Sequence, residues 1–173
     1  SSYPGSALHL RLEIAQQVRD WPLAIELAQR LHQDGASGEK RRIGHFHCEL
    51  AAQALATSDA GRFDAARREL AAALRADSHH PRAALLRGEL ALAEDDQQAA
   101  IAAWRDLIMH SPAHLTLVAD DWLAAHQAIG RTGEGIDELA QLLEKHPSVD
   151  GLAALMKARA ERDGVPAAVQ WAR

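Results

Sequence analysis

The chain has 173 residues and a formal charge of -5, from 19 Lys and Arg against 24 Asp and Glu, so it holds one ordinary core or a short row of helical hairpins and offers a nucleic-acid backbone no long-range attraction. Hydrophobic residues at 47% and charged residues at 25% match soluble globular proteins, which excludes disordered and collagen-like chains. Alanine supplies roughly a fifth of the sequence and aromatics only 4%, a bias toward closely packed helices that leaves a sheet without its usual residues.

Arg, Glu, Asp or Gln interrupts every apolar stretch before it could span a bilayer, and the N-terminus lacks a charged-then-apolar signal pattern. Cys48, the single cysteine, has no partner for an internal disulfide. The sequence opens without Met and stops inside the helical pattern Val169-Gln170-Trp171-Ala172-Arg173, so further chain is expected on both sides.

Prolines at 4, 22, 81, 112, 147 and 166 separate apolar-periodic segments, as they do between short helices. The segments fit the 34-residue tetratricopeptide template of paired antiparallel helices. The first unit, 5–38, has Leu12 at its eighth position, Ala24 at its twentieth, Leu31 at its twenty-seventh, and Asp20-Trp21-Pro22 as the cap of its second helix. The second, 44–79, carries a two-residue insertion near Ser58 to Gly61, with Ala51, Ala66 and Ala73 at small positions and Ser78 where proline is commoner. The third, 81–114, places Gly88 opposite Ala100, with Trp104 between helices and Pro112 at its close. The fourth, 116–149, has Gly130 in its turn, and its bulky Leu123 is expected to share space with Gly135, with Pro147 near the end. A partial hairpin, 150–173, turns at Gly164-Val165-Pro166. The predicted architecture is all-α: a single domain, 1–173, stacked as a right-handed superhelix with a concave face.

In this frame the concave face is lined from each first helix by His45, Cys48, Arg82, Glu89, Asp120 and Gln127. The set is mixed in sign and poor in aromatics, so it selects no acidic or basic peptide tail. Ten histidines invite a metal reading. His110 and His114 have zinc-helix spacing, but Ser111-Pro112 ends the helix between them. His45, His47 and Cys48 lack further ligands at a finger-like spacing, and His79-His80 falls in a turn, where a polar pair needs no function. Asp95-Asp96 and Asp120-Asp121 are adjacent on helices and point about 100 degrees apart, which does not suit an acid and base pair. Gly130-Arg131-Thr132-Gly133-Glu134-Gly135 is a repeat turn with no strand before it, and no nucleophile elbow, phosphate loop or zinc-protease motif is present. Trp21, Trp104, Trp122 and Trp171 read as core or seam residues. No catalytic residue, cofactor site or metal site is expected.

Three stretches carry a more specific likeness: Gly44-His45-Phe46-His47-Cys48-Glu49-Leu50-Ala51-Ala52-Gln53-Ala54-Leu55-Ala56, Arg82-Ala83-Ala84-Leu85-Leu86-Arg87-Gly88-Glu89-Leu90-Ala91-Leu92-Ala93 and Ala99-Ala100-Ile101-Ala102-Ala103-Trp104-Arg105. Together with Asp20-Trp21-Pro22-Leu23-Ala24-Ile25-Glu26 and His146-Pro147-Ser148-Val149-Asp150, in the same order, they resemble the lipopolysaccharide assembly protein B family. The resemblance implies a Gram-negative inner-membrane protein with an N-terminal anchor helix, cytoplasmic repeats and a C-terminal rubredoxin-like metal knuckle. It implies an adaptor that helps the protease FtsH degrade the deacetylase LpxC and answers to an inner-membrane regulator. The knuckle's paired cysteines and the anchor have no counterpart in these residues, so the family's metal is not carried over.

The leading expectation is thus a non-enzymatic adaptor at the cytoplasmic face of the inner membrane that tethers LpxC and FtsH, with homodimerisation through exposed helix faces as a further expectation. The alternative is a generic repeat scaffold or co-chaperone in envelope assembly or secretion. A third reading, the repeat portion of a glycosyltransferase, needs a catalytic domain outside these residues.

Overall fold

A computed structural model describes residues 4–164. Among the described residues there are nine α-helices and no strand. They fall into two compact units, 1–90 and 91–173.

The first unit contains α1 (Pro4–Gln17), α2 (Trp21–Gln33), α3 (Glu39–Ala56), α4 (Arg62–Ala76) and the beginning of α5 (Pro81–Ala93). Consecutive helices pack in order, α1 on α2, α2 on α3 and α3 on α4. Leu12, Ala15, Trp21, Ala24, Leu27, Leu31 and Phe46 form one buried cluster. Cys48, Ala51, Ala66, Leu70 and Ala73 form a second, which Ala83, Leu86 and Leu90 of α5 close. Alanines dominate where helices approach, and each large side chain removed from water there contributes roughly 1.5–3 kcal/mol.

The second unit contains α6 (Gln97–His110), a 3-10 turn (Pro112–His114), α7 (Leu115–Ala128), α8 (Thr132–Lys145) and α9 (Val149–Asp163). Helix α7 is its hub, packing on α6, α8 and α9. Trp104 and Trp122 are buried at its centre with Leu107, Ile108, Leu115, Ile136, Leu139 and Leu155.

Within the units α1 pairs with α2, α3 with α4 and α7 with α8 as tetratricopeptide hairpins, and α5, α7 and α9 begin 34 residues apart, at Pro81, Leu115 and Val149. One turn recurs with the same hydrogen bonds. The N–H groups of Asp20, Asp96 and Arg131 donate to the carbonyls of Ala15, Ala91 and His126, at 2.9, 2.8 and 2.8 Å. The residue before each donor is left-handed: Arg19 at φ 58°, Asp95 at φ 61° and Gly130 at φ 72°. The next helix is then capped where a short acid is present. Asp20 accepts from the Leu23 N–H at 3.2 Å and Asp96 from the Ala99 N–H at 2.9 Å. Ser148 does the same for α9, accepting from Gly151 N–H at 3.1 Å.

Two local expectations are corrected. Helix α3 begins at Glu39, five residues before the expected unit start at Gly44, because left-handed Gly38 starts the helix and the buried Glu39 carboxylate pairs with Arg42 at 3.2 Å. The residue packed on Gly135 is His126, and half-buried Leu123 lines a different face. His80 lies in the expected turn between α4 and α5 and is buried there, its ring beside Gly44. His47 Nδ1 lies 2.7 Å from the Glu69 carboxylate of α4. The insertion expected at Ser58 to Gly61 is the α3–α4 loop. Trp21, Trp104 and Trp122 are core residues, and Gly88 and Ala100 are both buried. The expected turn at Val165-Pro166, the helix after it and Trp171 lie outside the described residues.

Candidate protein-binding surface

Of the six expected groove residues, four lie in the first unit. His45 is exposed on α3, its ring edge-on to Trp21 with centroids 6.4 Å apart. Arg82, at the start of α5, reaches Glu49 of α3 at 2.9 Å, so these two first helices present charge to one another. Glu89 is exposed further along α5.

Cys48 is the exception, and a correction. It is fully buried among small residues of α3, α4 and α5, and no partner can touch it. Its place follows from helical spacing, because Gly44, Cys48 and Ala51 form one buried stripe at i, i+4 and i+7. Cys48 Sγ lies 3.8 Å from His80 Nδ1. Burial pushes the thiol up to about 12, and burial also pushes His80 below its ordinary value. A nucleophilic cysteine needs the opposite, a thiolate held down by a cationic neighbour, so this pair is packing and not an activated dyad.

The other two expected residues, Asp120 and Gln127, stand on the exposed side of α7 in the second unit. They line an open groove of about 590 Å³ between α7 and α9, whose far wall carries Lys157, Glu161 and Arg162. Two neighbouring first helices thus enclose a surface of mixed sign, with Leu123 and Ala158 at its floor. The α7 wall is acidic, with Asp120 and Asp121, and the α9 wall carries both signs, with Lys157 and Arg162 beside Glu161, which suits a polar partner surface that carries both signs. Sequence reasoning missed the α9 wall, although the period contained it: Lys157 and Glu161 lie 34 residues after Leu123 and Gln127.

No described helix is long and apolar enough to cross a membrane. Leu10 and Ile14 on α1, and Val18 in the turn just after it, are exposed at i, i+4 and i+8.

No family model matches the sequence. In sequence the chain is similar to lipopolysaccharide assembly protein B of Escherichia coli K12, 28% identical over 162 residues. The protein of the same name from Escherichia coli O157:H7 matches equally. The match covers 94% of this chain and 41% of the relative, so the chain spans less than half the length of the proteins it resembles. In structure it is similar to MamA, with TM-scores of 0.53 and 0.52 in two crystal structures at 16% and 15% identity, covering 96% and 99% of this chain and 87% and 91% of theirs. At that identity the likeness concerns the fold alone. The chain is therefore a set of tetratricopeptide hairpins similar, over nearly all its residues, to lipopolysaccharide assembly protein B.

Proposed function

We propose that the chain is the repeat region of a non-enzymatic adaptor that regulates lipopolysaccharide biosynthesis by bringing the deacetylase LpxC to the protease FtsH. It works at the cytoplasmic face of the inner membrane, in a protein that also answers to an inner-membrane regulator. The observation that carries this reading is the colinear similarity to lipopolysaccharide assembly protein B over 162 residues. The α7–α9 groove supports it, since tethering needs an open protein-binding surface and no reaction centre. Holding enzyme and substrate on one scaffold raises the concentration each experiences of the other without any new chemistry.

The test is affinity capture of the tagged protein from a Gram-negative host, combined with the half-life of LpxC. Co-purification of FtsH and LpxC, with LpxC stabilised when the protein is removed, is the expected result. An unchanged LpxC half-life with neither protein captured overturns the reading. A second reading, a general docking scaffold in envelope assembly or secretion, is favoured by the mixed charge of the groove, which selects no single kind of peptide tail. Capture of envelope or export components in place of FtsH and LpxC supports it.

A further inference from the structure

On the α8 side of α7, away from the groove, one buried side chain has an unmet requirement. His126 is 1% exposed. Its Nδ1 lies 2.8 Å from the carbonyl oxygen of Trp122, one turn earlier. A carbonyl can only accept, so Nδ1 carries the proton, and in that tautomer the free lone pair is on Nε2. That Nε2 is buried and has no hydrogen-bond partner among the described residues. The Trp122 ring, 4.8 Å away, and Gly135, on which the imidazole packs, fix its orientation. A histidine held by a backbone acceptor at one nitrogen, with the other bare, is the arrangement found in metal-binding histidines.

Glu134 and Glu138 face it from α8. They are one turn apart and therefore share a side of the helix. Each of the three residues brings a ligand atom within 4.8 Å of the others. A tetrahedral zinc with bonds of about 2.0–2.1 Å needs ligand atoms roughly 3.3 Å apart. Glu134 is exposed and Glu138 half-buried, so rotation of these long side chains closes the difference while His126 stays fixed. Two cations share the site. Arg105 donates to both oxygens of Glu138, at 2.8 and 2.9 Å, and Arg131 stands 3.9 Å from Glu134. A guanidinium N–H could donate to Nε2, but the contacts of Arg105 and Arg131 go to the carboxylates, and Nε2 is left without a partner. A recess of about 280 Å³, lined by Ile101, Arg105, Arg131 and two of the three residues, His126 and Glu134, opens beside them.

We propose that His126, Glu134 and Glu138 form a divalent transition-metal site, with zinc as the ion, that clips α7 to α8. Imidazole nitrogen and two carboxylates are donors zinc accepts, and the recess leaves a further position for water. Arg105 competes with the ion for Glu138, which sets the affinity.

The test is titration of the chelator-treated 173-residue chain with Zn²⁺ by calorimetry and with Co²⁺ by visible absorption. The expected result is one equivalent of metal, a cobalt spectrum of low coordination number, and a melting midpoint that rises with free zinc. Glu134→Gln and Glu138→Gln, on the solvent side, are expected to fold and to weaken binding at least about tenfold, the loss that even a supporting residue can produce. Arg105→Gln is expected to tighten binding severalfold, a response that scattered surface histidines would not give. Binding that survives both Glu variants unchanged, several weak equivalents alone, or no binding overturns the proposal.

Discussion

The imidazole of His126 occupies the space that a side chain at Gly135 would need: an ideal Cβ there would lie 2.6 Å from His126 Cγ and 2.7 Å from its Cβ. Those atoms cannot swing away, because they are the root of a buried ring bonded to the Trp122 carbonyl. Gly135→Ala is therefore expected to destabilise the second unit by about 1–2 kcal/mol, overpacking outweighing the helix-propensity gain of up to ~1 kcal/mol. At Gly151 the nearest atom is the flexible end of Leu143, at 2.8 Å, and Gly151→Ala is expected to be neutral within about 0.5 kcal/mol. Urea denaturation of the two variants tests the contrast. Equal midpoints would contradict the packing.

The recurring turn, which the bond from Ala36 N–H to the Leu31 carbonyl after left-handed Gly35 repeats once more, carries non-glycine residues at two of its four left-handed positions, Arg19 and Asp95. Left-handed backbone costs a non-glycine residue roughly 1–2 kcal/mol, while glycine's extra unfolded-state freedom returns about 0.5–1 kcal/mol of that. Arg19→Gly and Asp95→Gly are each expected to raise stability by about 0.5–1 kcal/mol, and Gly130→Ala to lower it by about 1 kcal/mol. Thermal melts of the three variants read the signs directly.

Stability is expected to fall at both ends of the pH scale through one buried pair. Burial holds His80 below its ordinary 6.5, so the unfolded chain takes up a proton there that the folded chain refuses. Its contribution is complete above pH 6.5, begins to fall as the pH drops below that value, and goes on falling until the lower folded value is passed. Cys48 ionises near 9.0 when unfolded and is pushed up to about 12 when folded, so stability declines as the pH rises between these values. Either limb has a limiting slope of about 1.4 kcal/mol per pH unit. His80→Leu flattens the acid limb and Cys48→Ala the alkaline one in denaturation curves across pH. Unchanged limbs would show that these two groups do not set them.

Within the α7–α9 groove, Asp120→Lys and Gln127→Ala are exposed changes, expected to alter stability by less than about 0.5 kcal/mol. Under the adaptor reading, the charge reversal is expected to reduce partner capture severalfold while the melting midpoint stays put. Undiminished capture by both variants would move the binding surface elsewhere.

Much of this was legible because proline and small residues mark the joints. Pro81, Pro112 and Pro147 and the spacing of Gly88, Ala100 and Gly130 fix the third and fourth hairpins, where the period is unbroken. The start of α3 was not, since a glycine in left-handed backbone at Gly38 reads in sequence as a break and here opens a helix. Counting from Gly44 then put Cys48 on the surface, although Gly44, Cys48 and Ala51 already marked a stripe of small residues at helical spacing. His126 was hidden for a different reason. Its stripe with Leu115, Val118 and Trp122 places it inside, but nothing local shows that Glu134 and Glu138 will return beside it, because that depends on how the hairpin closes.

The turn closed by the Ala15, Ala91 and His126 carbonyls is made wholly of neighbours, each bond reaching back five residues. A hairpin built this way needs no distant segment to start folding, so its loop-closure entropy stays small and its closure is fast. On the ribosome each pair of helices can close while the next is still being synthesised, and apolar faces are left waiting for a shorter time.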